Sequence, residues 1–195
     1  MQKIESIKIN LESEYTPTMK WVKFDDDPCL KRISEPVTEL EESDIETIKK
    51  MVKYVDACYN DESSKYKIKN GIAIAAPQLG LNKRIIYVHF KDRDIEHKYL
   101  LINPKIIAFG NYSSFVENGE GCLSVTKDVK ANIERSYKII VEGYDLFKNK
   151  TIEIAANELL SICFQHEIDH LDGILYTDRV NKKKAMYINS TWFKI

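Results

Sequence analysis

From Asp44 to Tyr59 the apolar residues Ile45, Ile48, Val52, Val55 and Tyr59 recur at helical spacing. That period predicts an amphipathic helix with one face for a core. Ser43-x-x-Glu46 fits a capping box at its start. The polar, lysine-rich stretch 60–70 reads as an exposed loop, and Gly71–Ala76 as a short buried run. Arg84–Phe90, Lys98–Phe109, Ile133–Tyr144 and Thr151–Ala155 read as strands, with turn signals at Gly110-Asn111 and Lys148-Asn149. Asn157 is placed to cap a second helix that runs to about Leu171, with Gly173 just past its end. Leu159, Leu160, Ile162 and Cys163 give that helix a broad apolar surface. Many strands with two main helices indicate the α+β class. No repeat, low-complexity segment or linker interrupts the chain, so residues 1–195 read as one domain.

Composition narrows the picture. An apolar content of 44% is ordinary for a globular chain. Formal net charge is −1, from 29 basic and 30 acidic residues, which implies no overall attraction to DNA or to an acidic membrane. No run of 18 apolar residues exists, and Met1–Glu14 lacks the apolar centre of an export signal. A cytoplasmic location is the default expectation. The four cysteines then read as free thiols, Cys29 in a loop and Cys58 at an apolar helix position.

The second helix carries chemistry. Gln165-His166-Glu167-Ile168-Asp169-His170 contains His-Glu-x-x-His. Helical residues four apart differ by about 40° in direction and about 6 Å in height, so His166 and His170 can reach one ion. Glu167 points roughly 100° further round, towards a water rather than the ion. Hydrolysis by a metal-activated water is the first hypothesis. A catalytic ion usually takes a third protein ligand. His89 lies in a strand-like run and His97 in a charged loop or hairpin tip, so neither stands out. Cys122, in Asn118-Gly119-Glu120-Gly121-Cys122-Leu123-Ser124, is the better candidate, because a thiolate suits zinc or ferrous iron. A zincin-type peptidase is one rival, which a third His or Glu ligand would favour. A non-catalytic metal-binding protein is another, which a fourth ligand would favour.

Three ordered motifs make the chain resemble the peptide deformylases, the bacterial-type enzymes that remove the formyl group from the N-terminal methionine of new proteins. They are Gly71-Ile72-Ala73-Ile74-Ala75-Ala76-Pro77-Gln78, Glu120-Gly121-Cys122-Leu123-Ser124 and Gln165-His166-Glu167-Ile168-Asp169-His170. Weaker matches extend the resemblance over about residues 25 to 180. The segment before the first motif and the lack of a long helix after Asp178 resemble the class common in Gram-positive bacteria and their wall-less relatives. The resemblance implies antiparallel sheets packed around the motif-bearing helix. It implies a divalent metal on Cys122, His166 and His170, Fe²⁺ in the cell with Zn²⁺, Ni²⁺ or Co²⁺ as substitutes. Glu167 becomes the proton carrier, and Gln78 with the backbone N–H of Leu123 the oxyanion donors. Ile72, Leu123 and Cys163 line the methionine slot, and Gly121 and Ile72 offer backbone hydrogen bonds to the peptide. Ala73 departs from the family's glycine by one methyl, an expected change in affinity more than in chemistry. Glu120 is expected to pair structurally, with Arg135 for instance, and Asp169 to secure the helix. The tail from Val180 to Ile195, with Lys182-Lys183-Lys184 and Tyr187, Trp192 and Phe193, reads as a final strand or surface tail. A transient ribosome contact is its sharper alternative.

Overall fold

A computed structural model describes residues 2–3, 9–117 and 119–195. Met1, residues 4–8 and Asn118 of the cysteine motif lie outside the described residues. Strands β1 (Gln2–Lys3) and β2 (Glu39–Leu40) pair antiparallel and lead into α1 (Glu42–Tyr59). The helix begins two residues before the predicted box. Asp44 Oδ2 accepts from the Glu41 N–H at 2.8 Å, while Glu46 faces Tyr15 and Lys49 instead. Within the predicted 60–70 loop a single turn, α2 (Ser63–Tyr66), forms.

Five strands make the main antiparallel sheet: β3 (Ala73–Ala75), β4 (Ile85–Asp92), β5 (Ile95–Phe109), β8 (Lys138–Asp145) and β9 (Lys150–Asn157), in the order β3-β4-β5-β8-β9. The expected Ile133–Tyr144 strand is divided. Its first part is β7 (Arg135–Ser136), which pairs with β6 (Ser113–Phe115) in a separate small sheet. The tail closes that sheet as β10 (Phe193–Lys194), parallel to β6, as a final strand. His89 lies on β4 and His97 on β5. The charged stretch between them turns at Arg93-Asp94, whose φ values of 44° and 69° suit a two-residue hairpin.

Side-chain alternation puts a core on each face of the main sheet. Ile74, Ile85, Tyr87, Leu100 and Ile102 pack with Ile48, Met51, Val52 and Val55 of α1. Ala73, Ala75, Ile86, Val88 and Leu101 pack with Leu160, Phe164, Ile168 and Leu171 of α3 (Glu158–Leu171). Strand β4 is therefore buried from Ile85 to Phe90, which explains its continuous apolar run. Helix α3 is buried without a break from Leu160 to Leu171, and the small sheet covers its other side. Ser136 N–H donates to Gln165 Oε1 at 2.9 Å, and Ser161 Oγ donates to Ser136 O at 2.7 Å. The antiparallel main sheet and the small sheet thus pack on the helix from two sides, close to the expected arrangement, with β10 adding a parallel pairing to the small sheet. No described helix is long and apolar enough to cross a membrane.

Candidate active site and metal centre

Helix α3 follows β9 without a loop. Asn157 takes the extended backbone of a cap, Glu158 turns the chain at φ 50°, and its N–H donates to Tyr137 O at 2.9 Å. Gly173, at φ 72°, stops the helix at the other end. Both ends being fixed, the direction of every α3 side chain is fixed by the sheet.

His166 and His170 project from one side of α3 towards Cys122, which the loop after β6 supplies. Their ligating atoms and the Cys122 sulfur lie within 4.8 Å of one another, and all three residues are buried. Cys122 Sγ is 3.2 Å from His170 Nε2. Three donors on a tetrahedral ion with bonds of about 2.0–2.3 Å would stand roughly 3.3–3.8 Å apart, so this group is close to that size. The donor types fit a borderline divalent metal. Glu167, which lines the adjoining cavity, has Oε2 buried without a protein partner, leaving polar capacity beside the site.

Glu120 governs His166. Its Oε2 accepts from Nδ1 at 2.7 Å, which leaves Nε2 for a metal. Burial would push the Glu120 carboxyl up, but hydrogen bonds from His166 and Arg135 outweigh it and hold it at about 2. Arg135 donates to Glu120 from Nε at 2.7 Å and from Nη2 at 3.0 Å. Its Nη1 reaches Asp169, which Arg179 also engages. The expected pairing of Glu120 with Arg135 is present, and Asp169 does tie the helix down. Burial lowers the His170 pKa, with the charge of His166 acting in the same sense, which favours the neutral, ligating imidazole. Burial also pushes the Glu167 carboxyl up to about 7.

Gln78 sits in the tight turn Ala76–Leu79 that follows β3, 1% exposed. Its Oε1 accepts from the Ala75 N–H at 2.8 Å, which fixes the amide so that Nε2 faces Ser124 Oγ at 3.1 Å and the Cys122 sulfur at 3.6 Å. A cavity of about 280 Å³ runs from these groups outward. Ile72, Ala73, Gly121, Leu123 and Cys163 line it, together with Glu167, so the expected substrate residues come together in one cleft. A Cβ added at Gly71 would lie 2.9 Å from Leu123 Cδ2, so the first two motifs touch across the cleft. A Cβ at Gly121 would meet nothing within 4 Å, open space on the cavity side. Strand β3 is the sheet edge, and its outer side faces the cavity. Ile72 was expected to offer backbone hydrogen bonds to the peptide, but its carbonyl is engaged inward by the His89 N–H at 2.9 Å. Alternation then turns the backbone of Ala73 and Ala75 outward, as the Ala75 bond to Gln78 shows.

Several residues escaped the reading of the sequence. Tyr176 stacks on His166 with centroids 6.0 Å apart, and its hydroxyl accepts from the Val129 N–H at 2.9 Å. Lys69, on the cavity wall, pairs with Asp128 at 2.8 Å. Val116, Leu159 and Ile162 complete the cavity wall. Only Leu159 and Ile162 carried a signal, through their helical spacing to Cys163 and His166.

The sequence profile of the polypeptide deformylase family matches residues 19–186. A peptide deformylase of Malacoplasma penetrans is 46% identical over 180 residues, covering 92% of this chain and 97% of the relative. One from Ureaplasma parvum serovar 3 is 43% identical over 187 residues, covering 95% and 94%. Among solved structures, the peptide deformylase of Thermotoga maritima superposes with a TM-score of 0.64 at 29% identity, covering 82% of this chain and 96% of that one. A Met-Ala-Ser-bound class I type b peptide deformylase from Acinetobacter baumannii superposes with a TM-score of 0.63 at 27% identity, covering 82% and 96%. Likeness of this extent, over the whole region that builds the cleft, shows that the chain belongs to the peptide deformylase family, hydrolases that remove the N-formyl group from newly made proteins.

Proposed function

We propose that residues 1–195 form one catalytic domain whose cleft binds an N-formylmethionyl chain end and releases formate. The observation that carries the residue assignments is the convergence of Cys122, His166 and His170 with Gln78 and Glu167 at the buried end of a cavity that opens beside a free strand edge. Cys122, His166 and His170 would hold one divalent ion, Fe²⁺ in the cell, with Zn²⁺, Ni²⁺ or Co²⁺ as substitutes in preparations. When bound, such an ion supplies Lewis acidity that brings the pKa of a water from 15.7 to about 7.

The remaining work belongs to the chain. The outward backbone of β3 and the Gly121 side of the cleft align the peptide as an added strand. The methionine side chain enters the apolar wall formed by Ala73, Leu159, Ile162 and Cys163. Cys163 suits a wall rather than a nucleophile, since burial holds its thiol well above the ordinary value. Glu167 accepts the proton of the attacking water at its carboxylate and returns it to the leaving amine. Gln78 Nε2, pointed by the Ala75 bond, and the Leu123 N–H donate to the developing oxyanion. The Met-Ala-Ser bound to the Acinetobacter baumannii relative has the form of a product of this reaction. The enzyme acts in the cytoplasm on chains leaving the ribosome, and the exposed Lys182–Lys184 offers a surface for transient contact there.

The test is formate release from formyl-Met-Ala-Ser by protein loaded anaerobically with Fe²⁺, beside acetyl-Met-Ala-Ser. Release from the formyl peptide alone is expected; none from folded, loaded protein would sink the reading. Glu167→Gln should keep its metal and lose about 10²–10⁴ in kcat. Loss of metal in that variant would make Glu167 a ligand or a structural residue instead.

A further inference from the structure

The three donors of the metal centre are not held alike. His166 and His170 share α3, so the helix sets their spacing. Cys122 stands in a segment, 119–134, that contains neither helix nor strand, yet its sulfur lies 3.2 Å from His170 Nε2. Something outside the segment must keep it there.

Tyr176 is placed to do so. It opens the single turn Tyr176–Arg179 beyond α3 and is 1% exposed. Its ring stacks on His166, with planes 25° from parallel, and packs in one cluster with Cys122, Val125 and Ile133. Its hydroxyl accepts from the Val129 N–H. The chain from Val129 to Ala131 lies in turn against Gly119, just before the cysteine. A Cβ on Gly119 would come within 2.9 Å of the Ala131 carbonyl oxygen, and its φ of 97° also requires glycine. One side chain thus faces the ring of one donor and grips the loop that carries another. Tyr176 is itself anchored on both sides. Asp178 Oδ2 accepts from the Leu175 N–H at 2.9 Å and pairs with Lys31 at 2.6 Å, and Arg179 reaches Asp169 of α3. The hydrogen bond from His166 Nδ1 to Glu120 fixes one edge of the imidazole. A ring laid on its face also fixes its plane.

We propose that Tyr176 is a positioning residue of the metal centre, holding the His166 plane and the Cys122 loop together so that thiolate and imidazoles stand assembled before an ion arrives. The inference rests on the reading of Cys122, His166 and His170 as metal ligands. A preassembled site spares binding the entropy of ordering a loop, so loosening this strut shows as lost metal affinity. Groups that orient ligands in this way are worth about 10–100-fold in affinity.

The experiment titrates Co²⁺ into metal-free, full-length protein and follows the near-ultraviolet absorption of the cobalt–thiolate pair. A competing chelator gives Kd, at a temperature where melting curves show each protein folded. Tyr176→Phe keeps the ring and loses the hydroxyl that holds Val129, so Kd should rise about 10-fold and the thiolate absorption weaken. Tyr176→Leu also loses the face on His166, and Kd should rise towards about 100-fold. A tyrosine that served the fold alone would lower the melting temperature and leave Kd and the absorption unchanged. Parent values of both in Tyr176→Phe overturn the proposal, whether or not Tyr176→Leu folds. A parent protein that takes up no Co²⁺ removes the metal-centre reading and the strut with it, whereas parent binding with an unchanged Tyr176→Phe removes the strut alone.

Discussion

Replacing Arg135 by Met tests whether the metal site is held by its buried charges. Arg135 is 3% exposed and divides its guanidinium between Glu120 and Asp169. Removing one partner of a buried ion pair costs about 3–5 kcal/mol. Asp169 keeps Arg179, so only Glu120 loses its cation, retaining the His166 Nδ1–H. The low end, about 3 kcal/mol, therefore applies. At about 2–4 °C per kcal/mol for a chain of this size, the melting temperature should fall by about 6–12 °C. Calorimetry on metal-free protein keeps metal linkage out of the number. Glu120 would no longer be held so low, and its grip on His166 would weaken, so metal affinity should drop about 10–100-fold. The double variant Glu120→Gln with Arg135→Met removes both charges and should melt above Arg135→Met alone. An Arg135→Met protein that melts within about 2 °C of the parent and binds metal as tightly would refute the argument.

Gln78→Ala should lower kcat by about 10²–10³ with metal content unchanged, as measured by steady-state kinetics beside elemental analysis; loss confined to KM would deny Gln78 its place at the oxyanion. Ala73→Gly restores the family residue and removes a methyl from the cavity wall, so the discrimination between formyl-ethionine and formyl-methionine peptides should relax by a factor on the order of 10. An unchanged ratio would place the methyl outside the slot. Chelation should lower the melting temperature of loaded protein. At a metal concentration of 100 Kd the linkage is about 2.7 kcal/mol, or roughly 5–11 °C, and equal melting with and without chelator would mean that the three donors hold no ion.

The main helices and the longer strands were legible because their apolar periods are local. The His166, Glu167 and His170 triplet was legible for the same reason, since one helix sets its geometry. Cys122 was different: nothing local to residue 122 says that its loop crosses to α3, and its choice leaned on ligand chemistry and on family motifs. Gln78 needed the family as well, because its amide is aimed by the Ala75 N–H, a contact set by the tight turn after β3. The cap of α1 was misplaced because Asp44 serves the helix start equally well two residues earlier, where β2 delivers the chain. The division of 133–144 into β7 and β8 was hidden, since a strand that changes sheets keeps its apolar pattern. His89 read as a plain strand residue because its partners, Asp56 and Glu96, come from α1 and β5.

The free edge of β3 carries a further consequence. An unpaired strand edge accepts any extended chain that can lie along it. Here the edge runs into a dead end, where Gln78, Glu167 and His170 are each less than 5% exposed. Two of these three groups stand on α3, whose residues are buried from Leu160 to Leu171, so the buried end of the cleft is built of packed helix. Only a strand that begins at that wall can pair with the full length of the edge. On that geometry the depth of the groove would measure distance from the chain's own start, and an internal segment would be turned away by shape before any chemistry.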